Sequence, residues 1–310
     1  MKLPVFKAVG MTFAFVFGKL GDVIRILWLP YLILTAASMW FVYQLLPVVI
    51  ALFDLNLNEK PDPQQVLAIF QPLWAPCGVL FLASLIFMPM QYAGLLRFLV
   101  KGERPGGIFY LQFGRNELNI LLTYIVVLLI TVGLAIVFGA AEGIVRVTVP
   151  GPTGELARHL INLVRQILNL WIGIKLSLAF AAAIGIGGIG IGRSWSVVKG
   201  NWWNLFGFYI LLGIIYLLVL CAMIAPFAHN LFTMFKELAG VGRDAAAAKE
   251  FARQHLMDLQ FWLQHPGQIG YAIGALHFVV SFLLTALGIS APGVAYRLIT
   301  EDSGKETSAV

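Results

Sequence analysis

The sequence predicts an all-α fold: a polytopic membrane helical bundle of about six transmembrane helices, arranged as three repeated two-helix units with interfacial amphipathic helices. Three observations lead to this prediction. Of 310 residues, 60% are hydrophobic and 12% are charged, whereas soluble domains carry about 25% charged residues. The apolar residues fall in long runs, and about 20 of them suffice to cross a bilayer core of roughly 30 Å. A glycine–aromatic spacing also recurs along the chain. The mean hydropathy of +0.87 agrees with a membrane protein.

The N-terminal segment, residues 1–22, begins like a signal peptide, but no small-residue cleavage site follows its apolar stretch. We therefore expect it to be retained as an amphipathic segment ahead of the first span. Six apolar segments follow, at residues 24–52, 73–99, 118–141, 160–190, 204–230 and 268–296. Several of them exceed the length that a bilayer requires, so tilt and kinks are expected.

The connections between the spans differ in charge. The connection after the fourth span carries Lys175, Arg193 and Lys199 without an acid, whereas residues 54–72 contain more acids than bases. The positive-inside rule then places both termini in the cytoplasm and three loops outside. Residues 300–310 are polar and small, which favours a disordered cytoplasmic tail.

The third outer loop is predicted to contain an amphipathic helix over residues 245–263, because its apolar residues recur at helical spacing. This helix would lie on the outer leaflet or pack over the bundle. A binding role and a purely structural role in closing the bundle both remain open for it.

One spacing, Gly-x2-aromatic-x4-Gly, precedes each odd-numbered span. Its copies are Gly10/Phe13/Gly18, Gly106/Phe109/Gly114 and Gly192/Trp195/Gly200. Chance would supply roughly 0.3 occurrences in a chain of this composition. We predict a single transmembrane domain, residues 1–300, built from units at about 10–101, 105–188 and 190–299. Each unit would begin with an interfacial helix whose aromatic ring lies at the headgroup level. An irregular bundle is also compatible with the unequal lengths of the units.

The third unit, GRSWSVVKGNWWNLFGFYILLGIIYLL, resembles a pattern in a group of bacterial six-span inner-membrane proteins. That group includes the membrane domain found beside some glycerophosphodiester phosphodiesterases. The segment RPGGIFYLQFGRNELNILL, residues 104–122, is similar to stand-alone proteins of this kind from proteobacteria. The resemblance implies a six-span architecture. It implies no catalytic residues, because the soluble phosphodiesterase domain has no counterpart in this chain.

Gly185, Gly187 and Gly190 match G-x-G-x-x-G, the spacing of a dinucleotide-binding turn. That turn needs a preceding strand, a following helix and an acidic residue about 20 positions later. Here an apolar span precedes the glycines, a Trp-rich basic segment follows them, and no Asp or Glu occurs between 159 and 236. We interpret the glycines as a hinge and a close helix–helix contact instead.

The basic, Trp-rich inner face is a candidate surface for anionic lipid headgroups. Its candidate residues are Arg97, Arg115, Lys175, Arg193, Lys199 and Trp195. The alternative interpretation is topogenic charge together with an aromatic belt.

A second candidate set consists of polar groups inside the spans, where burial of charge is costly. It contains Arg165, Lys175 and His277. Arg165 and Lys175 can extend towards opposite membrane surfaces. His277 is expected to be a satisfied interior histidine, with a proton or substrate role as the alternative.

Together these features predict a non-enzymatic integral inner-membrane protein that organises or accompanies lipids or a larger membrane complex. The alternative is a transporter or lipid-translocating protein with a polar site between the spans, and a membrane enzyme comes third. The expected partners are membrane lipids, including anionic ones, and other membrane proteins. No cofactor, metal or nucleic acid is expected. The net charge of +6 is attributed to membrane topology.

Overall fold

The chain folds into α-helices throughout the part that the structure, a computed structural model, describes: residues 2–55, 62–103, 113–225, 228–240, 245–265 and 267–307. The helices are α1 (Val5–Gly18), α2 (Leu20–Asp54), α3 (Pro63–Phe70), α4 (Trp74–Leu96), α5 (Arg115–Thr148), α6 (Pro152–Leu176), α7 (Ala179–Ile186), α8 (Ile191–Val198), α9 (Trp202–Ile224), α10 (Ala228–Gly240), α11 (Ala245–Gln264) and α12 (Gly267–Thr307). A short 3-10 turn joins α3 to α4, and a π-helical turn, Arg97–Lys101, follows α4. The predicted all-α class is confirmed.

Six helical segments of the described chain are long and apolar enough to cross a membrane. They are Leu20–Phe53, Pro63–Lys101, Arg115–Thr148, Pro152–Ile186, Trp202–Ile224 and Gly270–Glu301. Each overlaps one of the six predicted spans, so this protein is a multi-pass membrane protein. Which membrane holds it, and which side the termini face, stay predictions.

The structure differs from the sequence prediction at the end of the fifth span and in the C-terminal tail, and it confirms one predicted helix. The fifth span was predicted to reach residue 230, but α9 ends at Ile224. The tail predicted to be disordered from residue 300 is helical as far as Thr307. The amphipathic helix predicted over 245–263 is α11, and it ends before His265 as the His-Pro-Gly sequence indicated.

Short helices precede two of the three odd-numbered spans, at the positions of the first and third copies of the repeated spacing. They are α1, ahead of α2, and α8, ahead of α9. Of the second copy, Gly106 and Phe109 lie outside the described residues, and Gly114 is the N-cap of α5. That these helices lie along the membrane surface, and that the chain is a threefold repeat, remain predictions.

By packing, the chain divides into two compact units. Unit 1 comprises Met1–Leu27, Pro89–Gly213 and Thr285–Val310, and unit 2 comprises Trp28–Met88 and Ile214–Leu284. The first and third predicted repeats contribute to both units, whereas the second lies in unit 1 alone. Packing in the folded chain therefore follows a different division from the sequence repeat.

Unit 1 is organised around α7. Its residues Ala181, Ala182, Ala183 and Ile184 are fully buried, and it packs against α5, α8 and the π-helical turn. Small side chains allow this close approach between helices. Every buried polar or charged side chain of the described residues also lies in this unit: Thr12, Gln91, Glu117, Asn119, Thr123, Lys175, Ser194, Asn201 and Ser290. Unit 1 is therefore where a polar functional site can be sought.

The start of the chain is tied to the α8–α9 connection within unit 1. The backbone N–H of Leu3 donates to Asn201 Oδ1 at 2.8 Å, and Asn204 Nδ2 donates to the Leu3 carbonyl at 3.2 Å. Gly200 has a φ of +88°, which favours glycine at this tight turn. The Gly-Asn-aromatic sequence thus has a structural role, holding the N-terminal segment beside the fifth span.

Unit 2 is held by aromatic packing and by hydrogen bonds to backbone carbonyls. The Tyr31 ring lies edge-on to Phe278 and Phe282, with centroid distances of 5.3 Å in both cases. The Tyr216 hydroxyl donates to the Leu284 carbonyl at 2.6 Å. These contacts use aromatic bodies for apolar burial and a phenolic hydroxyl for a helix carbonyl.

Candidate functional site

Two glycines of the G-x-G-x-x-G spacing, Gly187 and Gly190, bound a tight turn that folds α8 back onto α7, and Gly185 lies in the last turn of α7. Gly187 ends α7 with a φ of +68°. A Cβ atom on Gly190 would lie 1.8 Å from the Ala179 carbonyl oxygen, and one on Gly185 would lie 2.7 Å from the Tyr296 hydroxyl oxygen. Gly185 and Gly190 therefore allow close packing, whereas Gly187 is favoured by its positive φ. The interpretation of these residues as a close helix contact agrees with this geometry.

The fourth span is interrupted between α6 and α7. Such a break leaves carbonyl groups without their helical donors, and inside a membrane these carbonyls need other partners. Ser177 Oγ donates to the Ile174 carbonyl at 2.8 Å, and Ser194 Oγ donates to the Lys175 carbonyl at 2.7 Å. Ser194 is fully buried. Two serine hydroxyls thus stabilise the interruption.

Lys175 lies at this interruption between two tryptophans. Its Nζ is 5.8 Å from the ring centroid of Trp171 and 5.4 Å from that of Trp195. The two rings meet edge to face, with centroids 5.2 Å apart. The faces of both rings and the negative end of the α6 dipole attract positive charge at this position.

The Lys175 side chain lacks a carboxylate partner in the described part of the chain. The residue is only 9% exposed, and no described Asp or Glu lies within 4.0 Å of its Nζ. A largely buried cation with no counter-ion is costly. The site is therefore complementary to an anionic group supplied from outside the chain.

An open cleft of about 730 Å³ lies next to the interruption, within unit 1. Its walls are mostly apolar, and its described lining contains no Lys, Arg, His, Asp or Glu. The polar groups that line it are Tyr92, Thr131, Asn169, Ser177 and Tyr209. Ile174 and Leu176, on either side of Lys175 in the chain, also line it. An apolar cleft with a few hydroxyl and amide groups suits a lipid chain better than a polar solute.

Of the predicted headgroup residues, the structure brings together Lys175 and Trp195. Arg97 instead pairs with carboxylates, at 2.8 Å from Glu103 and 3.8 Å from the buried Glu117. Three others, Arg115, Arg193 and Lys199, are exposed. The predicted basic face therefore contains one enclosed cation, one arginine held by acids and three exposed basic side chains.

Arg165 does not simply extend towards the membrane surface as predicted. Its Nη1 lies 3.2 Å from Glu142 Oε1 on α5, and its guanidinium also donates to Asn162. The interhelical partner could not be identified from sequence because Glu142 was assigned to the following loop. Since α5 continues to Thr148, the carboxylate faces α6 from a neighbouring helix.

The prediction that His277 is an interior histidine is wrong. The side chain is exposed on α12, and its Nε2 lies 3.3 Å from the hydroxyl of Ser281 one turn later. Phe278 and Phe282 form the packed face of the helix at this level. Apolar burial therefore determined the rotation of α12 and left the imidazole outside the core.

The Glu142–Arg165 pair is expected to stabilise the α5–α6 contact. Glu142→Gln and Arg165→Gln should each lower the unfolding free energy by about 1 kcal/mol, and the double variant by less than the sum. Thermal unfolding in detergent measures the coupling. The matched pair Glu155–Arg158, which is more exposed, should show no coupling energy between its two substitutions. If the losses of unfolding free energy from the Glu142 and Arg165 substitutions are additive, the two side chains do not stabilise the α5–α6 contact by pairing.

Sequence reasoning missed two groups of this site. Trp171 precedes Lys175 by four residues, so helical spacing places both on one face and could have identified it. Ser194 lies in a different helix from the carbonyl that it binds, and no local pattern reveals such a contact.

Comparisons of the chain with protein-family models, with curated proteins and with solved structures found no match.

Proposed function

We propose that this protein is a non-enzymatic membrane protein of the bacterial cytoplasmic membrane that binds and organises anionic phospholipids. The observation that carries the proposal is the Lys175 ammonium, enclosed by Trp171 and Trp195 without a described carboxylate. A lipid phosphate provides the missing negative charge. The tryptophan rings suit the headgroup level of a bilayer.

The cleft supports the same proposal. Ile174 and Leu176, the neighbours of Lys175 in the chain, line it, whereas Lys175 itself is not part of the lining. A phospholipid combines a phosphate, which suits the cation, with acyl chains, which suit the apolar cleft. Lipid binding at the cytoplasmic side also agrees with the excess of basic residues on the predicted inner connections.

A transporter of polar solutes is the second candidate, and the interruption of the fourth span favours it, because transporter sites are often formed at broken helices. The three intramembrane candidates, Arg165, Lys175 and His277, do not line the cleft. The cleft is lined mostly by apolar side chains, which favours an acyl chain over a polar solute.

The proposal is tested by lipid retention. The protein and its Lys175→Gln variant are purified gently from native membranes, and bound phospholipids are quantified by mass spectrometry. We expect the variant to retain on the order of tenfold less anionic phospholipid, since a charge-assisted contact is lost. The substitution leaves the backbone carbonyl that accepts from Ser194, so the fold should be kept.

Lys199→Gln is the matched control, because Lys199 belongs to the same basic segment but is exposed. It should retain lipid as the unmodified protein does. Equal retention by both variants, or no anionic phospholipid on the unmodified protein, would contradict the proposal.

A further inference from the structure

A row of polar and small residues runs along one face of α6 and its C-cap. It consists of His159, Asn162, Gln166, Asn169, Gly173 and Ser177, hereafter the α6 polar face. Successive members are three or four residues apart, which places them on one side of a helix. From His159 to Ser177 the rise is about 27 Å, and the hydrocarbon core of a bilayer is about 30 Å thick. The row therefore extends over most of a membrane.

The central part of the α6 polar face is accessible. Gln166 and Asn169 are exposed, and a Cβ atom on Gly173 would meet no atom within 4 Å. Exposed apolar side chains such as Leu163 and Ile167 lie beside the row. Amide groups facing acyl chains are costly unless they find hydrogen-bond partners. A partner for these amides must come from outside the described chain.

The two ends of the α6 polar face have different surroundings. At one end, Asn169, Gly173 and Ser177 are also part of the cleft lining. At the other, Asn162 binds Arg165, which pairs with Glu142 at 3.2 Å. A phospholipid headgroup carries both phosphate and hydrogen-bonding groups, and this ion pair offers both signs of charge. The row thus connects a lipid-sized cleft to a charged pair.

We propose that the α6 polar face is a path along which phospholipid headgroups cross the membrane, while their acyl chains remain among the apolar side chains beside it. The movement is passive and involves no covalent step. The proposal rests on the proposed lipid binding and adds to it a movement between leaflets. It differs from solute transport because only the headgroup needs the polar face.

The test uses the whole protein reconstituted into vesicles of phosphatidylcholine and phosphatidylglycerol that contain a trace of a fluorescent headgroup-labelled phospholipid. Dithionite added outside reduces only the label in the outer leaflet. We expect the protein to carry labelled lipid from the inner to the outer leaflet, so that dithionite reduces this label as well and its fluorescence is lost. The double variant Gln166→Leu, Asn169→Leu should slow this on the order of tenfold, through loss of hydrogen bonds at two positions.

The matched control is the double variant Leu217→Ala, Leu218→Ala, which alters exposed apolar residues of α9 that belong neither to the α6 polar face nor to the cleft lining and should keep the original rate. The single variant Gln166→Leu, at one exposed position, should slow the movement to a smaller extent. Thermal unfolding verifies that each variant is folded.

Three results would overturn the inference. The first is no movement above that of protein-free vesicles. The second is an equal loss of rate in the control. The third is an unchanged rate with an altered oligomeric state in the leucine variant by light scattering, which would make the row a contact between protein copies. Lys175-dependent lipid retention, measured on the same preparations, would be unaffected by these failures, so the two proposals fail separately.

Discussion

A Gly190→Ala substitution is expected to destabilise the protein by about 3 kcal/mol, the upper part of the range for overpacking a closed interior. The new methyl group would lie 1.8 Å from the Ala179 carbonyl oxygen and 2.5 Å from the Ala183 amide nitrogen. Both are backbone atoms of a buried helix, so neither can move aside as the end of a side chain can. The turn would have to open. This would also weaken the 3.3 Å hydrogen bond from Gly190 N–H to Thr123 Oγ1.

The measurement is thermal unfolding of the purified protein in detergent, with Gly188→Ala as the matched control. Gly188 belongs to the same turn, but its φ is not positive and a Cβ atom there would meet no atom within 4 Å. The control should unfold at nearly the original temperature. If both variants unfold alike, the close packing of Gly190 on α7 is not what stabilises this turn.

Glu117→Ala is expected to lower the unfolding free energy by about 2 kcal/mol, because a buried carboxylate with two roles is removed. Glu117 is 1% exposed. Its Oε2 accepts from the Gly114 N–H at 2.9 Å at the start of α5, and its Oε1 lies 3.8 Å from Arg97 Nη1. Alanine would leave the first turn of α5 without this acceptor and would leave Arg97 with Glu103.

Glu155→Ala is the matched control for this prediction. Glu155 also lies in the first turn of a long helix and pairs with an arginine, but its side chain is 69% exposed. Its loss should change the stability by no more than about 0.5 kcal/mol. Unfolding in detergent compares the two variants, and equal losses would show that burial of Glu117 adds nothing.

Several features of the fold were predictable because they depend on local pattern. Each of the six spans was located from apolar length, and α11 from helical spacing. The turn between α7 and α8 at Gly187 was predicted as a hinge from its glycines, whereas the interruption between α6 and α7 was not predicted.

The candidate site was only partly predictable. Lys175 and Trp195 were both identified, but sequence reasoning treated them as members of a broad basic face. Their enclosure depends on the return of α8 onto the end of α6, through Ser194. The rotation of α12, which exposes His277, likewise depends on which face carries Phe278 and Phe282 into the packed side.

The sequence by itself determined that the chain is a helical, multi-pass membrane protein, because hydrophobic length and composition act residue by residue and need no partner. Only the tertiary structure decided which polar groups meet: Lys175 with two tryptophans, and Arg165 with Glu142. The physical reason is that apolar spans are nearly interchangeable in their affinity for lipid. Their rotation and pairing therefore depend on close contacts between distant residues, such as Gly190 against Ala179.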